Sequence, residues 1–374
     1  MGIKVSDASP AQTDAAIAQT RANSGSFLAW LAGEWRALRS FYLLAIVFFV
    51  ATTLLAVSRG DDIAAFVLVY VLRVGRAVTL VGCAAVVAIS LRALIQRNAE
   101  PVRYLLSALL NNRTRTFLSR FIVHALVLAA IMGAFLYGKT MIPEIRPFDW
   151  DVTFAAWDRI IFGTDPWRLI HPVIGYPVVT IVVDVLYAAW VPVMFIVWSA
   201  IGASERVSVD LKRHYFTATL ATWVLVGLGA ATFLSSAGPC FLPVLSPDEA
   251  PRFAELNAYL QSVGQLYPLS SGTTKDYLWW IYANGLNEPG GISAMPSMHN
   301  AQAALFVIAG YRLNRRLGHL LLAYAIIIFV GSVHLAWHYA VDGIAGAAMG
   351  LVIWWVVGFA TASRKHEPLG TRPA

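Results

Sequence analysis

The chain has 374 residues, of which 58% are hydrophobic and only 13% are charged. Soluble proteins usually carry about 25% charged residues, so this composition excludes a typical soluble enzyme. The net charge is +7, but the basic residues are spread between long apolar runs and do not form a patch. Their distribution argues against nucleic acid as a partner.

The N-terminal part precedes the first long apolar run. Residues 1–26 are rich in Ala, Ser, Gln and Thr, which predicts a disordered cytoplasmic tail. Segment 27–39 mixes aromatic and aliphatic residues with charged ones, a pattern typical of an amphipathic helix at the membrane surface. Segment 101–119 has the same character.

A helix needs about 20 mostly apolar residues to cross about 30 Å of hydrocarbon. The segments that approach this length are 41–58, 77–91, 121–138, 178–201, 215–234, 297–311, 319–333 and 341–362. We therefore predict an all-α polytopic membrane bundle of about eight transmembrane helices. The predicted units are a cytoplasmic tail with an interfacial helix (1–40), two N-terminal transmembrane helices with a basic connection (41–119), a six-helix catalytic core (120–362) and a cytoplasmic tail (363–374).

Charge placement predicts the orientation of these helices, because loops rich in Lys and Arg remain on the cytoplasmic side. The connections near 92–120, 206–213 and 312–316 are basic, whereas 139–177 and 235–296 carry more acidic than basic residues. We expect both termini in the cytoplasm and the two long connections facing the periplasm or an equivalent lumen. The protein is therefore expected in the inner or plasma membrane.

Ionisable residues inside or beside membrane helices are costly and indicate functional sites. His334, His338 and Asp342 are spaced four residues apart, so in a continuous helix they would share one face. Ser297 is a predicted N-cap two residues before His299, and the N–H groups of such a helix start attract phosphate. By the predicted orientation, both clusters lie at the outer ends of their helices.

These residue types suit phosphoryl transfer through a phosphohistidine. One histidine attacks phosphorus, a carboxylate holds its second ring nitrogen in the required tautomer, and another histidine protonates the leaving oxygen. Asp342, four residues after His338, fits the orienting role, and His299 from another helix fits the acid.

Two strings carry a family resemblance: Pro-Ser-Met-His ending at His299, and His-Tyr-Ala-Val-Asp from His338 to Asp342. They resemble the second and third motifs of the type-2 phosphatidic acid phosphatase superfamily. Their residues are most similar to those of the inositol phosphorylceramide synthase branch. The resemblance covers about the last six predicted spans. It implies that His338 is the nucleophile, Asp342 its orienting carboxylate and His299 the acid.

The chain departs from the superfamily pattern in its cations. The first motif, Lys-x6-Arg-Pro, matches Lys139 and Arg146, but after the third predicted span and not after the helix that corresponds to the fifth. The third motif usually has an arginine shortly before the nucleophile, and this chain has Ser332 after a glycine there. The sequence leaves two candidates for the phosphate-binding cation. One is Lys139 together with Arg146, and the other is a protonated His334. Ser297 and Ser332 are further candidates for contacting phosphate.

We expect a membrane enzyme that acts on a phospholipid or lipid phosphate at the outer leaflet, without a metal or other cofactor. Similarity to inositol phosphorylceramide synthases implies headgroup phosphate transfer to a lipid alcohol such as ceramide or diacylglycerol. The same residues would serve simple hydrolysis by a lipid phosphate phosphatase.

Two other classes of protein remain as alternatives. In a membrane metalloprotein, His334, His338, Asp342 and His299 would supply three nitrogens and one oxygen to zinc or iron. In a proton-coupled transporter, the intramembrane Asp and His residues would form a proton relay. The clustering of polar residues at one membrane face and the lack of inverted repeats argue against the transporter.

Overall fold

Apolar segments inside a bilayer must satisfy their backbone hydrogen bonds internally, which favours helices. A computed structural model describes residues 27–362, and between these positions all regular structure is helical. The predicted all-α class is therefore confirmed. Within residues 27–362, seven helices are long and apolar enough to cross a membrane, as expected of an integral membrane protein. The predicted tails 1–26 and 363–374 lie outside the described residues.

The N-terminal helices are separated by short capped turns. They are α1 (27–37), α2 (Arg39–Arg59), α3 (Ile63–Ile95), α4 (Pro101–Leu110) and α5 (Asn112–Thr140). Gly60 ends α2 with a left-handed φ of 76°, and the Asp62 side chain accepts the Ala64 N–H at 2.8 Å to start α3. Asn111 caps α5 in the same way, so the second predicted amphipathic segment divides between α4 and α5.

The remaining helices alternate between spans and connections. The helices from the end of the third long span through the fourth are α6 (Ile142–Ile145), α7 (Asp151–Phe162), α8 (Pro166–Ile174), α9 (Pro177–Ala188) and α10 (Trp190–Ala203). The next span joins α11 (Val209–Ala221), a π-helical segment (Thr222–Ala230) and α12 (Ala231–Phe233). The last connection and spans contain α13 (Leu242–Leu245), α14 (Ala250–Leu266), α15 (Ser270–Ala283), α16 (Met298–Leu313), α17 (Arg315–His334) and α18 (Ala340–Ala362).

The sixth predicted span, 297–311, is shorter than a typical membrane helix. It corresponds to α16, which has 16 residues and is therefore about 24 Å long. This helix packs against both α17 and α18. The expected eight spans are thus seven long helices and one short helix supported by its neighbours.

Small residues on α18 allow it to approach α16 closely. A Cβ atom added to Gly350 would lie 2.7 Å from the Ala301 carbonyl oxygen, and one added to Gly346 would collide with the Ser297 carbonyl oxygen. Glycines four residues apart commonly permit such close contact between membrane helices. The approach brings the first turns of α16 and α18 together.

The connecting helices α7, α8, α14 and α15 cover this end of the bundle. Arg252 on α14 pairs with the buried Asp165 before α8 and donates to the Ala155 carbonyl oxygen of α7 at 2.7 Å. On α15, Lys275 donates to the Leu335 carbonyl oxygen after α17 at 2.5 Å. The Arg252 bonds join the cover helices to one another, and the Lys275 bond attaches α15 to the end of α17 beneath it.

Candidate active site

The turn between α17 and α18 determines where His338 lies. Ala336 has a left-handed φ of 58°, and the His338 N–H donates to the Ser332 carbonyl oxygen at 3.0 Å. The chain leaves the helix after His334 and resumes it at the start of α18. The expected single helix face from His334 to Asp342 is therefore wrong.

This turn nevertheless brings His338 and Asp342 together. Nδ1 of His338 lies 3.4 Å from Oδ2 of Asp342, and the same carboxylate oxygen accepts the Tyr339 N–H at 3.1 Å. Asp342 is completely buried. With Nδ1 facing the carboxylate, Nε2 is the ring nitrogen that can meet a substrate.

His299 approaches from the first turn of α16. Its ring centroid lies 5.8 Å from that of His338. The ring stacks on Tyr187 at 4.8 Å and lies 4.4 Å from the Trp190 ring. These aromatic contacts restrict the orientation of His299, so its ring on α16 faces the His338 ring in the turn before α18.

Ser297 occupies the N-cap position of α16, but its side chain makes no capping hydrogen bond. Its hydroxyl accepts the Asn300 side-chain N–H at 3.1 Å, and its backbone N–H donates to the Asp342 carbonyl oxygen at 3.0 Å. Ser297 is fully buried. It joins α16 to α18 and does not reach the cavity described next.

A cavity of about 590 Å³ opens beside His299 and Trp337. Lys139, at the end of α5, lines it and is close enough to act electrostatically on both His299 and His338. Burial, with a smaller effect of the Lys139 charge, lowers the pKa of His338 to about 3. The His338 imidazole is therefore neutral near pH 7, as a nucleophile must be.

The two cations of the Lys-x6-Arg-Pro string occupy different places. Lys139 faces the cavity, whereas Arg146 is paired with Asp149 at 3.3 Å and lies over the Trp150 ring at 5.7 Å. Although the string follows the third predicted span, α5 ends near His299. The unusual position in the chain therefore does not remove Lys139 from the site.

Segment 235–240, where the superfamily order would place that motif, contains no cation. Gly238 has a φ of 101°, and a Cβ atom there would lie 2.6 Å from the Trp337 carbonyl oxygen. The Cys240 N–H donates to the Ala336 carbonyl oxygen at 3.0 Å. The segment supports the His338 turn through its backbone.

Two aspartates on α7 also hold this turn, and sequence reasoning missed them. Asp158 accepts the N–H groups of Ala340 and Val341 at 2.8 and 2.9 Å, and Asp151 accepts the Tyr339 hydroxyl at 3.1 Å. Burial raises the pKa of Asp158 to about 6. Their spacing of seven residues, which puts both on one helix face, was the signal available in the sequence.

Ser332 and His334 do not line the cavity. The Ser332 hydroxyl donates to the Phe329 carbonyl oxygen at 2.7 Å. Nε2 of His334 lies 2.9 Å from the Thr180 hydroxyl, and its ring is 5.9 Å from that of His171. Neither residue is placed to bind the phosphate that the sequence pattern suggested.

The geometry also bears on the metalloprotein alternative. From residue 27 to residue 362, no group of three or more His, Cys, Asp and Glu side chains is placed to hold a metal ion. His334 contacts Thr180, while His338 faces Asp342. The four ligands of that alternative are therefore not assembled.

Comparisons with known proteins agree with the arrangement of these motifs. The PAP2 superfamily model matches residues 153–356, more than half of the chain, including His299, His338 and Asp342. Searches of curated proteins and of solved structures returned no match. The chain therefore belongs to the PAP2 superfamily, the type-2 phosphatidic acid phosphatases, which supports a lipid phosphatase or phosphotransferase type of function.

Proposed function

We propose that the protein transfers a headgroup phosphate between lipids through a phosphohistidine on His338, as inositol phosphorylceramide synthases do. The observation that supports this most is the facing pair of imidazoles, 5.8 Å apart between ring centroids. Only His338 has a carboxylate, Asp342, on its second nitrogen. This asymmetry suits a nucleophile and an acid on opposite sides of one phosphoryl group.

In the first step, Nε2 of His338 attacks the lipid phosphorus while the bond to the leaving oxygen breaks. The electron pair of that bond remains on the leaving oxygen, which takes a proton from the imidazolium form of His299 and leaves that ring neutral. Asp342 stabilises the positive charge that develops on the His338 ring. The products are a phosphohistidine and a released alcohol.

In the second step, neutral His299 accepts the proton of an incoming hydroxyl group. The oxygen of that group attacks phosphorus, and the bond to His338 breaks with its electron pair returning to the ring. A lipid alcohol such as ceramide or diacylglycerol yields a transferred headgroup phosphate, and water yields hydrolysis. Lys139, which lines the cavity, offsets the phosphate charge in both proposed steps.

The sidedness of the site is part of the proposal. The connections that cover the site carry an excess of acidic residues, and this supports an outside location, because loops rich in Lys and Arg remain on the cytoplasmic side. The reaction would therefore take place at the outer leaflet, with both termini in the cytoplasm.

The test is incubation of purified protein with headgroup-labelled phospholipids, with and without ceramide or diacylglycerol, followed by mass spectrometry of the products. Label that moves to an added lipid alcohol supports transfer, and label released only to water indicates a phosphatase. The control is His319→Ala, because His319 is exposed and bonds Tyr311 at 2.9 Å, away from the cavity. Turnover that survives His338→Ala would refute the proposal.

A further inference from the structure

Helix α3 lies outside the part of the chain that matches the PAP2 superfamily, yet it forms one wall of the cavity. Its contribution consists of Tyr70, Arg73, Arg76 and Leu80. The arginines are one helical turn apart, on the same side of α3. The N-terminal helices therefore supply charge to the site that the superfamily match does not include.

The position of these arginines within the span is unusual. They lie about 15 and 20 Å along α3 from Ile63, at a rise of about 1.5 Å per residue. Charged residues so far inside a membrane span are expensive and usually face a partner or a polar cavity. Both side chains line the cavity.

Neither arginine is neutralised by another residue between positions 27 and 362. In the described part of the chain, no carboxylate is within ion-pair distance of Arg73 or Arg76. Arg73 lies over the Tyr70 ring, 4.7 Å from its centroid, a contact that leaves its charge uncompensated.

The acidic residue on the cavity wall does not offset these charges. The Asp184 carboxylate accepts the N–H groups of Ser270 and Ser271 at 2.7 and 2.9 Å, so it caps α15. With Lys139 and the α3 arginines, the cavity carries three cations against one engaged carboxylate. Such a cavity attracts a ligand with more than one negative charge.

We infer that Arg73 and Arg76 form a second anion subsite, which binds a phosphate group other than the one attacked by His338. Guanidinium groups bind phosphate oxygens through paired hydrogen bonds. This phosphate belongs either to the same lipid, as in a lipid diphosphate, or to a second anionic lipid in the cavity. The inference rests on the proposed function for the identity of the first phosphate.

The experiment measures lipid binding by native mass spectrometry, in a His338→Ala background that prevents turnover. The probes are diacylglycerol pyrophosphate and phosphatidic acid, tested with Arg73→Gln/Arg76→Gln and with Arg92→Gln. Arg92 is the matched control, because it lies on α3 and is exposed, outside the cavity. Thermal unfolding of each variant identifies any general loss of structure, and Arg73→Lys/Arg76→Lys tests whether charge alone suffices.

If the second phosphate belongs to the same lipid, the double Gln variant binds diacylglycerol pyrophosphate about tenfold more weakly and phosphatidic acid nearly normally. If it belongs to a second lipid, the parent protein binds two phosphatidic acid molecules and the double variant binds one. Equal affinities and stoichiometries in the double variant and Arg92→Gln would overturn the inference. Arginine-dependent binding in a protein that never turns over a lipid phosphate would refute the proposed function but not the subsite.

Discussion

Two histidine pairs lie at the same end of the bundle, and their ring separations are almost equal. His299 and His338 are 5.8 Å apart, and His171 and His334 are 5.9 Å apart. In the first pair, His338 faces a carboxylate and His299 lines a cavity together with Lys139, whereas in the second pair His334 is bonded to Thr180 outside that cavity. Proximity of two imidazoles therefore does not make a catalytic site, because the surrounding charge and open space decide what they can do.

The largest effect that separates the pairs is expected from alanine substitutions. His338→Ala and His299→Ala should each lower turnover of a lipid phosphate by at least about 1000-fold, because they remove the proposed nucleophile or the proposed acid. His334→Ala should lower it by no more than about threefold, since that ring bonds only Thr180 outside the cavity. Initial rates of phosphate transfer or release provide the measurement. An equal loss of turnover in His334→Ala and in the His299 and His338 variants would show that the two histidine pairs do not differ in function.

A smaller effect is expected from the cation beside the first pair. Lys139→Ala should reduce turnover by about 10- to 100-fold, because it removes a charge that stabilises the phosphoryl group. Arg146→Ala should have little effect, since Arg146 pairs with Asp149 instead of lining the cavity. The kinetic constants of the two variants are compared with those of the parent protein. A larger loss in Arg146→Ala would contradict the placement of Lys139 as the phosphate-binding cation.

The close helix approach that assembles the first pair offers a third comparison. Gly346→Ala adds a methyl group against the Ser297 carbonyl oxygen, whereas Gly82→Ala on α3 meets no atom within 4 Å. We expect Gly346→Ala to destabilise the protein by about 1–3 kcal/mol through overpacking and to reduce activity about tenfold. Gly82→Ala should be neutral or slightly stabilising. Thermal unfolding in detergent and turnover are measured for both variants. If Gly346→Ala and Gly82→Ala both leave stability and turnover unchanged, the close approach of α18 to α16 is not required.

The last expected effect is a pH dependence of stability, which concerns unfolding and not turnover. The pKa of His338 falls from 6.5 in an unperturbed histidine to about 3 in the folded protein, mainly through burial. Between these values the unfolded chain binds more protons, so His338 lowers stability as the pH falls from about 6.5 toward 3. His338→Gln should lose less stability than the parent protein between pH 7 and pH 4. Parallel unfolding curves across that range would show that His338 is not buried in its neutral form.

The sequence predicted the parts of this molecule that depend on local pattern. Apolar runs predicted the all-α membrane bundle, and short strings identified His299, His338 and Asp342. The expected helix face through His334 failed because the left-handed Ala336 ends α17, a backbone feature that residue spacing does not reveal.

Contacts between distant segments were harder to anticipate. Asp158 supports the start of α18 across 182 positions of the chain, and Arg73 reaches the cavity from a helix outside the superfamily match. Both depend on how helices pack, which periodicity and composition do not specify. Lys139 is an intermediate case. The Lys-x6-Arg-Pro string was recognised in the sequence, but the position of Lys139 at the cavity depends on where α5 ends.

The central claim is that His338 carries the phosphoryl group during turnover. The direct measurement is to mix purified protein with a lipid phosphate that carries radioactive phosphorus, quench in alkali to preserve phosphohistidine, and locate the label by peptide mass spectrometry. We predict label on the peptide that contains His338, with none in His338→Ala. Label on a different residue, or normal turnover in protein that lacks His338, would contradict the account.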